Sequence, residues 1–259
     1  MKFNKLIYRE HDGVVTIINH NPRIRNALDI EMRKEMVLAL AQAETAPAVR
    51  VIVLKGDGEH FSAGGSVKDM APDTAFKGRE YAKIGIESIR KIVNMDKPVI
   101  AAVDGYALGA GFSFVLASDL AIATDRAKFS QAFVNVGLTP DYASCYFLPR
   151  AVGLKRAKEL IFTGRMMDAN QALELGIVNQ VVPPEKLDEA VNTLAQELAN
   201  GPANAITLGK RLINSSWELD LNAMFEFELM STAMCFQTED HREGMQAFFE
   251  KRAPLFKGK

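Results

Sequence analysis

Three short unbroken apolar runs, Val51-Ile-Val-Leu54, Pro98-Val-Ile-Ala-Ala-Val103 and Leu120-Ala-Ile-Ala123, constrain this chain more than any other feature. Runs this short without polar alternation mark strands buried on both faces. Between them lie stretches with helical spacing. Asp29 can cap a helix with Met32, Met36, Leu40 and Ala43 on its apolar side. A second helix is predicted from about 79 to 93, carrying Ile84, Ile89, Ile92 and Val93, and a third over 109–117. Gly13-Val-Val-Thr-Ile-Ile-Asn19 adds a β-branched strand bounded by turn residues. Alternating strands and helices need crossover connections, so the pattern predicts an α/β layer architecture.

From about Leu154 helical patterns dominate, over 154–162, 168–175, 184–199, 203–215, 219–236 and 239–250. A strand at Ile177-Val-Asn-Gln-Val-Val182 interrupts them. Asn200-Gly-Pro202 is the clearest break, a helix stop followed by proline at a new start. It divides an expected core, 1–199, from a helical region, 200–259. The second part carries Leu212, Ile213, Trp217, Leu221, Met224, Phe225, Leu229 and Met230, too apolar a set to stand alone in water. It must cover the core or another subunit, and contact with other copies of the chain is the preferred expectation.

Charge argues against polyanionic partners. Lys and Arg number 31 against 32 Asp and Glu, so a net charge of −1 creates no field for nucleic acid or anionic membrane. Cys145 and Cys235 make no disulfide framework, and four scattered histidines offer no metal-ligand spacing. No apolar run is long enough to span a membrane, and the first residues lack the apolar stretch of a signal peptide, so a cytoplasmic protein is expected.

Two Gly-rich loops follow buried strands. His60-Phe-Ser-Ala-Gly-Gly-Ser-Val67 comes after 51–54, and Asp104-Gly-Tyr-Ala-Leu-Gly-Ala-Gly111 comes after 98–103 and opens a helix. A helix start presents unpaired N–H groups and partial positive charge, suited to an anion or a developing oxyanion. Two such loops can supply two donors to one oxygen, the arrangement that lowers barriers in acyl chemistry. The same glycines would also serve a pair of tight turns. Other motifs fail: Gly109-Ala-Gly111 lacks the third glycine of a dinucleotide fingerprint, and Val115 stands where a nucleophile elbow at Ser113 needs glycine.

Asn21-Pro-x-x-x-Asn26-Ala-Leu28, Phe61-Ser-Ala-Gly-Gly-Ser-Val-Lys-Asp-Met70 and Lys97-Pro-Val-Ile-Ala-Ala-Val-Asp-Gly-Tyr-Ala-Leu-Gly-Ala-Gly111 resemble, in order, motifs of the enoyl-CoA hydratase/isomerase (crotonase) superfamily. Ser118-Asp-Leu-Ala-Ile-Ala123, Val136-Gly-Leu-Thr-Pro-Asp141, Leu148-Pro-Arg150 and Glu243-Gly-Met-x-Ala-Phe248 continue the resemblance across nearly the whole chain. It implies a spiral of ββα units with a C-terminal helical trimerisation region, often a dimer of trimers. It implies coenzyme A thioester substrates without a metal or redox cofactor. The family's two oxyanion-hole N–H groups fall on Gly65 and Ala110. Arg25, with Arg23 nearby, corresponds to the coenzyme A contact, and Ala27 and Ala63 carry over as substrate-binding positions. Phe248 and Lys251 resemble residues that complete that pocket from a neighbouring subunit; a core Phe and a solvated Lys on an amphipathic helix are the alternative. The acyl pocket is expected from 70–90 and from aromatic positions such as Phe112 and Phe133.

The chain also departs from the family. The two glutamates that hydratases of this family use fall on Ser113 and Phe133, neither able to do carboxylate work. Asp141 matches an acid–base position of family isomerases, and burial beside Phe133 and tyrosines is expected to raise its pKa. The resemblance therefore implies an enolate enzyme that isomerises an unsaturated or ring acyl-CoA. A hydratase with atypical acid–base residues, or a coenzyme A- or RNA-binding relative with reduced catalysis, are the alternatives.

Overall fold

In the computed structural model, which describes residues 2–259, the chain begins with a hairpin. Asp12 and Gly13, at φ 46° and 77°, turn β1 (Leu6–His11) antiparallel onto β2 (Val14–Asn19). Asp-Gly is a favoured pair for a two-residue hairpin because both central residues need positive φ. The sequence reading took Asp-Gly only as the start of β2 and did not anticipate β1. Its outer half, Arg9-Glu-His11, is exposed, so the strand lacks the apolar pattern that marks the others.

After β2 the sheet is parallel. It adds β3 (Val51–Gly56), β4 (Val99–Val103), β6 (Leu120–Thr124) and β9 (Gln180–Val182), in the order β1-β2-β3-β4-β6-β9. Alternation along each strand divides two cores. Ile52 and Leu54 join Met32, Met36 and Leu40 of α1 (Ile30–Thr45) and Ile89 and Ile92 of α2 (Ala75–Asn94). Val51 and Val53 face the other way, onto Leu187, Val191 and Ala195 of α7 (Leu187–Ala199). Asp29 caps α1 as expected, its carboxylate accepting the Met32 N–H at 2.8 Å. Helix α2 starts four residues earlier than the expected 79. Thr74 caps it, and its first turn holds an exposed Phe76 and Gly78, which conceal the periodicity.

A second sheet of β5 (Tyr106–Leu108), β7 (Lys128–Ser130) and β8 (Met167–Asp168) was not anticipated. Strands of two or three residues are too short to show a period. They give the chain its repeating order. β4 and β5 precede α3 (Ala110–Ala117), and β6 and β7 precede a 3₁₀ turn at 132–136 and α4 (Ser144–Val152). These are the ββα units implied by the resemblance. Helix α4 also corrects the sequence reading, which placed no helix between 117 and 154. Its internal Pro149 and the left-handed Ala143 before it read as breakers, and Gly153 at φ 79° separates it from α5 (Leu154–Thr163).

Helix α6 (Ala169–Glu174) precedes β9, and α8 (Ala203–Ser215), α9 (Leu221–Phe236) and α10 (Glu239–Glu250) close the chain. A buried cation fastens α8 to the parallel sheet. Lys210 Nζ donates to the Ile92 and Lys97 carbonyls at 2.9 and 3.1 Å and to the Asp119 carboxylate at 2.8 Å. Beyond this contact the C-terminal helices turn much of their apolar surface outward. Ile213, Trp217, Leu221, Leu229 and Met230 are 61–68% exposed. Among the described residues, no helix is long and apolar enough to cross a membrane.

Candidate active site at the paired glycine loops

The turn at 21–28 and the loops after β3 and β4 form one hydrogen-bonded unit. Arg25 and Asn26 are both left-handed, at φ 53° and 55°. The buried Asn26 amide donates to the Asp57 and His60 carbonyls at 2.9 and 2.6 Å and accepts the Asn21 N–H at 2.9 Å. The Ser62 hydroxyl donates to the Asn26 carbonyl at 2.8 Å and accepts the Gly64 N–H at 3.1 Å. Asparagine tolerates the left-handed region and carries donor and acceptor on one group, which accounts for its place in the motif.

The two glycine loops lie in register. Ser62 pairs with Ala107 in a parallel bridge, with Ser62 N–H to Tyr106 O at 2.8 Å and Leu108 N–H to Ser62 O at 3.0 Å. Gly65 and Ala110 each lie three residues beyond that pair, so the register carries their N–H groups to corresponding positions. Gly64, at φ 92°, lets the loops close: a Cβ there would stand 2.7 Å from Leu108 O and 3.7 Å from Ala110 N. Among the described residues, neither the Gly65 nor the Ala110 N–H donates to a protein acceptor. Ala110 is the first residue of α3, and the positive φ of 49° falls on Gly109 before it, so alanine at 110 carries no backbone strain. At the other loop Leu28 N–H bonds Gly64 O at 2.7 Å and Ser66 N–H bonds Leu28 O at 3.1 Å. Backbone pairing therefore holds Gly65 whatever side chain stands at 66.

Asp141 lies on the segment before α4. Tyr142 and Ala143, consecutive at φ 52° and 59°, turn the chain there. Burial pushes the Asp141 carboxyl up to about 6 against the pull of Arg33, and its buried Oδ1 has no hydrogen-bond partner. Burial also pushes the Tyr142 hydroxyl up. Arg33 is 3% exposed; its Nε donates to the Leu28 carbonyl at 3.1 Å. Its guanidinium lies 4.1 Å from the Tyr81 ring centroid and 5.6 Å from that of Tyr142. A Cβ on Gly65 would meet Arg33 Nη2 at 2.7 Å, so the guanidinium reaches from the Asp141 side to the Gly65 loop.

The two positions aligned with the family's glutamates hold other parts. Ser113 is fully buried, with Oγ 3.0 Å from the Gly109 carbonyl and 2.6 Å from Ser144 Oγ. Ser144 Oγ is in turn 2.9 Å from the Asp141 carbonyl. This pair ties the helix that presents Ala110 to the segment that presents Asp141. Phe133, 5% exposed, sets its ring 3.7–3.9 Å from where a Gly109 Cβ would be, beside the start of α3. Phe112 lies in the core instead, 1% exposed and 5.4 Å from the Phe129 ring.

The expected coenzyme A residues are only partly brought together. Ala63 N–H bonds the Arg25 carbonyl at 2.8 Å, which sets Ala63 beside the turn carrying Ala27. Arg25 is exposed, its guanidinium 5.4 Å from the Tyr106 ring centroid. Phe248, 79% exposed on α10, is not the core residue considered as one alternative, and Lys251 just after it is exposed too. Among the described residues, no three His, Cys, Asp or Glu side chains cluster as a metal site. Sequence reasoning missed Arg33 and Tyr81. One signal existed: Arg33, Met36 and Leu40 share helical spacing, which put an arginine on the buried stripe of α1.

Known proteins agree with this architecture. The family model described as enoyl-CoA hydratase/isomerase matches residues 9–259. The short-chain-enoyl-CoA hydratase of Clostridium acetobutylicum is 34% identical over 253 residues, covering 97% of each chain. The 1,2-epoxyphenylacetyl-CoA isomerase of Escherichia coli K12 is 35% identical over 254 residues, covering 95% of this chain and 96% of that one. The crystal structure of an enoyl-CoA hydratase from Bacillus anthracis superposes with a TM-score of 0.94 at 32% identity, covering 99% of this chain and 100% of that one. With a matched family model over nearly its full length and the crotonase fold in its layers and loops, the chain belongs to the enoyl-CoA hydratase/isomerase family.

Proposed function

We propose that this protein isomerises an unsaturated acyl-CoA, with Asp141 moving one proton between two carbons of a thioester dienolate. The observation that carries this reading is the Asp141 carboxyl, raised by burial to about 6, while serine and phenylalanine hold the family's glutamate positions. Gly65 and Ala110 donate their free N–H groups to the thioester oxygen as it gains charge. Asp141 takes the proton from the α- or γ-carbon and returns it to the other, so no water is consumed and no atom is gained. Arg25 pairs with phosphate of coenzyme A, and Ala27 and Ala63 flank the thioester arm. No cofactor is required for this sequence of steps.

Hydration is the second reading, and one observation favours it: hydratase names are commoner among the relatives than isomerase names, although the Escherichia coli and Streptococcus mutans relatives carry the latter. Incubation with a panel of enoyl-CoAs in deuterated water, followed by mass spectrometry, separates the two. Isomerisation gives a product of unchanged heavy-atom composition with deuterium at carbon. A product heavier by one water would replace isomerisation with hydration.

The exposed apolar faces of α8 and α9 support assembly into a trimer or hexamer, since a monomer would leave Trp217, Leu221 and Leu229 in water. In such an assembly Phe248 and Lys251 serve a neighbouring subunit's coenzyme A. Light scattering is expected to report three or six chains, and a clean monomer over a wide concentration range would remove this part of the proposal.

A further inference from the structure

Buried polar side-chain atoms without partners gather at one place beside the glycine loops. Arg33 Nη1, Asp69 Oδ2, Asp141 Oδ1 and the hydroxyls of Tyr81 and Tyr142 are all covered and unpaired. These groups lie within one another's fields: the Tyr81 hydroxyl feels Arg33, Asp69 and Asp141, and the Tyr142 hydroxyl feels Arg33, Asp141 and Tyr81. Arg33 is 3% exposed and Tyr142 1%. Buried charge and buried hydroxyl without partners are costly features for a fold to keep, and a hydrocarbon chain would leave every one of them unsatisfied. Arg33 also touches the position of a Gly65 Cβ, so the cluster borders the thioester end of the site.

We propose that the acyl group of the substrate carries a neutral oxygen function, hydroxyl or oxo, received by Arg33 and Tyr81. This rests on the acyl-CoA reading above and names the class of acyl group within it. Charge balance selects a neutral group over a carboxylate. The fields of one guanidinium and two aspartates, Asp69 and Asp141, already converge on Tyr81, so a further anion would meet more negative than positive charge. A hydroxyl can accept from Arg33 or a tyrosine while donating to a carboxylate, and an oxo group can accept from both donors. Arg33 and Tyr81 thereby discriminate by hydrogen bonding, which rejects a substrate lacking the polar group more sharply than apolar packing can.

The test is equilibrium binding of saturated acyl-CoAs, which cannot be isomerised, to the full-length protein. Calorimetry compares each plain acyl-CoA with twins bearing a hydroxyl or oxo group at the fourth, fifth or sixth carbon, beyond the carbon that hydration would modify. At least one oxygenated twin is expected to bind roughly tenfold more tightly, the scale of a hydrogen bond to a charged partner. That ratio is expected to fall to near one in Arg33→Met and in Tyr81→Phe; the second variant decides the matter if the first does not fold. Equal binding of the twins by the wild-type protein overturns the inference, as does tighter binding of a carboxylate-ended twin than of the hydroxylated one. Neither outcome touches the isomerase reading, and a failed isomerase assay leaves this comparison standing. Failure to bind any acyl-CoA overturns both.

Discussion

Asp141→Asn is expected to lower turnover by about 10²–10⁴ while changing affinity for the acyl-CoA little. The amide keeps the size and the burial of the carboxyl but cannot take a proton, so the loss falls on the chemical step. The raised pKa fixes the pH signature. Burial disfavours the charged form and carries the group to about 6, so a base at this position is ionised above that pH and protonated below it. For the wild-type protein, kcat/KM should therefore fall about tenfold per pH unit below that value, and the residual activity of the variant should lack this limb. A steady-state pH series on both proteins reads the two effects together. A variant with wild-type turnover, or a limb retained in Asp141→Asn, removes Asp141 from the chemistry.

Gly64→Ala is expected to lower kcat by about 10²–10³, the scale of losing one oxyanion donor, although residue 64 supplies no donor itself. Its new Cβ would stand 2.7 Å from the Leu108 carbonyl oxygen, inside contact distance of a backbone atom that has no side-chain freedom to move away. The backbone at φ 92° is also unfavourable for any residue with a Cβ. The loops must separate, and the N–H groups of Gly65 and Ala110 lose their common target. Gly58→Ala is the control. It places alanine at φ 71° on an exposed turn, 3.6 Å from Pro22, and so imposes left-handed strain without touching the loops. Turnover of the two variants, normalised to folded protein by circular dichroism, is expected to differ by the full factor. Equal activities would mean that loop spacing does not govern the reaction.

Much of this architecture was legible in the chain because burial on both faces writes itself as continuous apolar sequence. Val51-Ile-Val-Leu54 and the run ending at Val103 needed no partner to be recognised as central strands. Elements that depend on context were not legible. β1 is an edge strand with a polar outer half, β5, β7 and β8 are too short for any period, and α4 contains Pro149. The site divided the same way. The glycine loops announced themselves because close backbone approach demands glycine, and Asp141 stood out through the motif resemblance, whereas Arg33 and Tyr81 lie on separate helices and meet it only through tertiary packing. An apolar surface on α9 could be read from composition, but only the fold shows that it points away from the core.

The hydroxyl pair of Ser113 and Ser144 has a consequence for any acid placed at 113 in this chain. Two hydroxyl protons are shared among three close contacts, to the Gly109 carbonyl, between the serines, and to the Asp141 carbonyl, so two of the three are donated at any moment. A glutamate at 113 would remove the hydroxyl whose oxygen stands 2.6 Å from Ser144 Oγ, and with it the contact that fastens α3 to the Asp141 segment. Adding an acid at 113 therefore loosens the segment that carries the acid at 141.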